Sequence, residues 1–94
     1  MVASKSERRA AREVVAAYHE AQLAVLVEQV GSVVDRFRRG ELDAFGADQA
    51  LFQYGRAAKE LWKFCNLGDP ELVAGLIRDG HSVDWWERGL PRQR

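Results

Sequence analysis

Proline is nearly absent: Pro70 and Pro91 are the only two in 94 residues, so nothing imino-based interrupts the first 69. Cys65 stands alone, which excludes an internal disulfide, and two histidines leave little for a metal cage. Net charge is missing too. Fourteen basic side chains cancel fourteen acidic ones, which argues against a general polyanion binder. No apolar run approaches the ~20 residues needed to cross a bilayer. No apolar segment follows the charged start Met1–Arg9, as a secretory signal would require. The expectation is a cytoplasmic protein with a reduced thiol and no membrane contact.

What is present is helix-forming sequence. Residues 6–39 are nearly all good helix formers, with Ser6 as a start and Gly40 as a stop. Asp43 is placed to cap a second helix over 44–65, with Leu42 and Phe45 tucking the corner. Asp69 and Pro70 open a third helix over 70–79, closed by Gly80. Asp84 caps a last turn over 84–88, and residues 89–94 form an extended basic tail behind it. No segment alternates with period two for long enough to make a strand. The expected fold is therefore all-α in a single domain, residues 1–94, with a flexible tail over 1–6. The short connection after Gly40 makes the first two helices an antiparallel hairpin.

The apolar pattern of the first helix changes face along its length. Leu23, Leu26, Val27, Val30, Val33, Val34 and Phe37 make one stripe. Val14, Tyr18, Ala21 and Val25 make another, roughly opposite at 100° per residue. A helix of ~34 residues spans about 50 Å and one of ~22 about 33 Å, so the second helix leaves part of the first uncovered. Helix three folding back and a second copy of the chain together are the expected cover, making a homodimer of two hairpins with the long helices antiparallel and Val14, Tyr18, Ala21 and Val25 at the seam. The competing arrangement is a compact monomer bent at Gly31. In the second helix the expected buried face holds Leu51, Tyr54 or Gly55, Ala58, Leu61, Trp62 and Cys65.

Candidate chemistry is thin. Neither H-E-x-x-H nor E-x-x-H occurs, and the eight glycines are scattered, so zinc-protease, di-iron and phosphate-loop patterns all fail. Cys65 ends a helix, where the dipole disfavours a thiolate, and reads as a packed side chain. A ligand site from His19, His81 and Cys65, or a pocket near Trp62 and Cys65, is the weakest functional reading. No catalytic, cofactor-binding or metal-binding residue is assigned, and the chain is not expected to be an enzyme. Charge is arranged by segment: residues 1–12 sum to +3, 66–87 to −4 and 88–94 to +3. Basic ends around an acidic middle suit docking between proteins. They also leave open a small antitoxin-like regulator that touches nucleic acid through its termini. Trp85-Trp86 is the most unusual dipeptide. It serves either as a clasp on the bundle or, with Arg88 and Arg92, as the anchor for an unidentified protein partner.

Four stretches occur together: Gly40-Glu41-Leu42-Asp43-Ala44-Phe45, Glu60-Leu61-Trp62-Lys63-Phe64-Cys65, Asp84-Trp85-Trp86-Glu87-Arg88-Gly89 and Pro91-Arg92-Gln93-Arg94. As a set, spanning most of residues 14–94, they resemble small uncharacterised helical proteins of actinobacteria. That resemblance implies no activity, and no site residue is carried over from it. The reading that remains is a homodimeric protein–protein interaction or structural module.

Overall fold

The computed structural model describes residues 4–80 and 82–91. They form four helices and no strand: α1 (Lys5–Arg38), α2 (Ala44–Asn66), α3 (Pro70–Arg78) and α4 (Trp85–Arg88). The all-α architecture expected from the sequence is the one observed.

Helix ends follow local chemistry. α1 starts earlier than Ser6, because the Ser4 hydroxyl accepts the Glu7 backbone N–H at 3.1 Å. The Ser4-x-x-Glu7 spacing is that of a capping box. Asp43, Asp69 and Asp84 cap α2, α3 and α4 by accepting the N–H of Gly46, Glu71 and Glu87. Gly40 and Gly80 follow α1 and α3 with φ of +76° and +77°, a conformation costly for any side chain with a Cβ. Gly31 lies inside an unbroken α1.

α1 and α2 pack antiparallel, with Tyr18 against Phe64 at 5.8 Å between ring centres. α3 lies mainly on α1, and α4 mainly on α2. The core gathers where all four meet: Ala11, Val15, Leu26, Ala57, Leu61, Cys65, Val73, Ala74 and Trp85. On α2 the buried face differs from expectation. Leu61 and Cys65 are inside as expected and Ala57 joins them, whereas Leu51 and Trp62, expected inside, are 49% and 51% exposed. The face is rotated because α4 docks beside Ala57 and draws that side inward. Leu42 is half-buried, but Phe45 is 82% exposed and does not tuck the corner.

The chain does not fold compactly about a bend at Gly31. The molecule measures 57 × 30 × 18 Å with a radius of gyration of 16.4 Å, against about 13 Å for a compact domain of this size. Its accessible surface is 7164 Å²; a compact chain of 10.6 kDa exposes about 5,500 Å².

Candidate interaction surface

The base of the molecule is closed by a C-terminal clasp. α4 is a single turn and has no intrinsic stability. Three side-chain hydrogen bonds hold it. The Trp85 indole Nε1 donates to the Tyr18 hydroxyl at 2.9 Å. Gln53 Nε2 donates to the Trp86 carbonyl at 2.9 Å. Arg56 Nε donates to the Gly89 carbonyl at 2.6 Å. The Trp86 carbonyl also accepts the Gly89 N–H at 3.1 Å, whereas the Gly89 carbonyl is one that a helix end otherwise leaves without a partner. Phe64 completes the aromatic group, 5.4 Å from Trp85 between ring centres. Gly89 is buried against α2. A Cβ there would run into the Gln53 carbonyl and stand 2.9 Å from the Ala57 Cβ, so only glycine permits this approach.

This geometry redistributes the residues singled out from sequence. Trp85 is 6% exposed; it belongs to the core and is not presented to a partner. Trp86 is half-buried and Arg88 exposed. Arg88 lines a groove of about 620 Å³ between α2 and α4, with Arg56, Lys59 and Glu60 on the α2 side. Arg92 and His81 lie outside the described residues. In the expected seam, Val14 and Tyr18 are half-buried and packed against the core, Tyr18 through Trp85. Ala21 and Val25 remain exposed, Val25 by 53%. The C-terminal segment has thus covered the upstream half of that stripe.

A different face is left bare. On α2, Gln53, Arg56 and Ala57 meet the clasp. Leu51, Gly55, Ala58 and Trp62 lie roughly opposite them at 100° per residue. On α1, Tyr18 points to the clasp, and Val27 and Val34 lie roughly opposite it by the same rotation. Two antiparallel right-handed helices turn these rows to the same side of the hairpin. Leu51, Trp62 and Val27 keep 49%, 51% and 53% of their surface in water, and Val34 is half-buried. Sequence reading missed this face because it placed Leu51 and Trp62 inside. The available signal was the 4, 3, 4 spacing of Leu51, Gly55, Ala58 and Trp62, which is a helix–helix seam pattern.

Other chemistry is sparse. A cleft of about 310 Å³ includes Arg12, Val15, Ala16, His19 and Cys65, but not Trp62. Burial pushes the Cys65 thiol up from its ordinary value, which lowers its thiolate fraction at neutral pH. Among the described residues, no group of three or more His, Cys, Asp or Glu side chains is placed to hold a metal. No helix among them is long and apolar enough to cross a membrane. No protein family matches the chain, and no match is found among curated proteins or solved structures.

Proposed function

We propose that this chain is a protein–protein interaction module that acts as a homodimer, works in the reducing cytoplasm and has no catalytic role. The observation that carries the reading is the bare apolar side of the hairpin, opposite the clasp. Isolated exposed apolar residues are ordinary; a contiguous face shared by two helices marks an interaction site. The surplus of surface over a compact chain of this mass supports the same reading. Sedimentation at micromolar concentration tests it. The expected mass is twice the 10.6 kDa of one chain, and Leu51→Glu with Trp62→Glu returns it to one, with helical circular dichroism retained. A native mass of one chain overturns the homodimer.

A second reading has its own observation. Lys5, Arg8, Arg9 and Arg12 recur at helical spacing on the first turns of α1 and are all exposed, forming a cationic patch able to meet nucleic-acid phosphate. A mobility shift at low salt that fades steeply as salt rises supports this antitoxin-like role, and no shift at low salt removes it.

A further inference from the structure

Two rows on the bare face share one pattern. On α1, Glu20, Ala24, Val27, Gly31, Val34 and Arg38 follow spacings of 4, 3, 4, 3, 4. On α2, Ala44, Asp48, Leu51, Gly55, Ala58 and Trp62 repeat the same spacings. This is the repeat of helices that pack along a narrow seam. The rows also have a common centre. Tyr18 lies level with Phe64, and at ~1.5 Å per residue that antiparallel register brings residue 29 of α1 level with residue 53 of α2. Those two positions are the midpoints of the two rows.

We propose that a second copy of this chain covers this face, seated face to face and head to tail about a twofold axis through that common midpoint. The proposal rests on the homodimer reading above and specifies its geometry. In a twofold contact each row meets itself reversed. Leu51 then faces Gly55 of the second copy, Val27 faces Gly31, Trp62 faces Ala44, and Val34 faces Ala24. Large side chains meet small ones at every apolar level. At the edge Glu20 meets Arg38, and Lys59, just beside the α2 row, comes level with Asp48. Opposite charges meet at both places. The alternative parallel stacking loses the Glu20–Arg38 match and brings the two cationic patches of α1 to the same end.

The two glycines supply an independent argument. A glycine inside a helix costs about 1 kcal/mol relative to alanine. Neither Gly31 nor Gly55 has a left-handed backbone, and a Cβ at either would meet nothing within 4 Å. Nothing within one chain requires them. Both stand at the centre of the proposed contact, where Val27 and Leu51 of the second copy need space. Two helices about 27 Å long and 20 Å across bury on the order of 600 Å² per chain, which reaches the ~1,200 Å² total of a specific interface.

Gly31→Leu with Gly55→Leu tests the geometry at two exposed positions where a Cβ meets nothing within 4 Å. The expected result is unchanged or higher helicity with loss of the dimer in sedimentation. Charge reversal gives the register. Glu20→Arg and Arg38→Glu are each expected to weaken the dimer on the order of tenfold in Kd, and together to restore it to within a few-fold. A native protein that sediments as one chain overturns both the homodimer and this arrangement. A native dimer that tolerates the two leucines, or whose charge reversals show no rescue, leaves the homodimer standing and overturns this arrangement alone.

Discussion

The base and the arm of this molecule use the same kinds of residue and reach different ends. In the base four helices converge, and Leu61, Ala57 and Ala74 lose all contact with water. In the arm α1 beyond Leu26 and α2 before Gln53 run side by side alone. There Val33 is the buried apolar residue, while Phe37, Leu51 and Phe52 stay 46%, 49% and 62% exposed. The difference is a missing layer. A helix pair buries only its facing stripes, and a closed core needs further elements on the remaining sides. α3 and α4 supply those elements at the base on one side only. The bare side of the arm is where a second molecule has room.

The comparison breaks most visibly at Leu61. Replacing it by alanine in a site without solvent access is expected to cost about 2–5 kcal/mol, read as a lowered midpoint of urea unfolding. Phe45→Ala at the arm tip, 82% exposed, is expected to change stability by less than about 0.5 kcal/mol. Equal effects at the two positions would erase the distinction between base and arm. Next in size is Gly89→Ala, which places a methyl group against the backbone of α2. Overpacking of this kind costs about 1–3 kcal/mol. The loss should be concentrated in the clasp, with hydrogen exchange accelerating over residues 84–90 and the hairpin still protected.

The sequence states much of this base and little of its packing. Asp43, Asp69, Asp84, Gly40 and Gly80 mark helix ends by backbone chemistry confined to a few residues, so four helices are legible from the chain alone. The clasp is less so. Trp85 reaches Tyr18 across 67 positions, and no local pattern distinguishes a tryptophan folded inward from one held out to a partner. The α2 face was displaced for the same reason. Its periodicity admits either Leu51 and Trp62 or Ala57 as the inner row, and the docking of Gly89 on Ala57 decides between them. The bare face was legible in spacing, but its exposure depends on where the short C-terminal helices settle.

A smaller effect probes the join between clasp and hairpin. Tyr18→Phe removes the acceptor for the Trp85 indole, 2.9 Å away, and leaves a partly buried N–H without a partner. The expected loss is about 1 kcal/mol, with tryptophan emission altered and the hairpin intact. If stability and emission stay unchanged, the hydrogen bond does not hold the clasp, and the close Gly89 contact carries it.

The smallest effect separates the two regions by chemistry instead of packing. Cys65 is 7% exposed, and its thiol is raised because burial disfavours the charged form. In the unfolded chain the same thiol ionises at its ordinary, lower pKa. As pH rises past that value the unfolded state releases a proton that the folded state retains, so stability falls with rising pH and the effect is absent well below it. Alkylation follows the same logic, because the thiolate is the reacting species. Native Cys65 is expected to react with iodoacetamide at least tenfold more slowly than after denaturation in urea. A cysteine placed in the arm by Phe52→Cys, with Cys65→Ala, is expected to react at nearly the unfolded rate in the isolated chain. Rapid native labelling of Cys65 would mean that the base opens as readily as the arm.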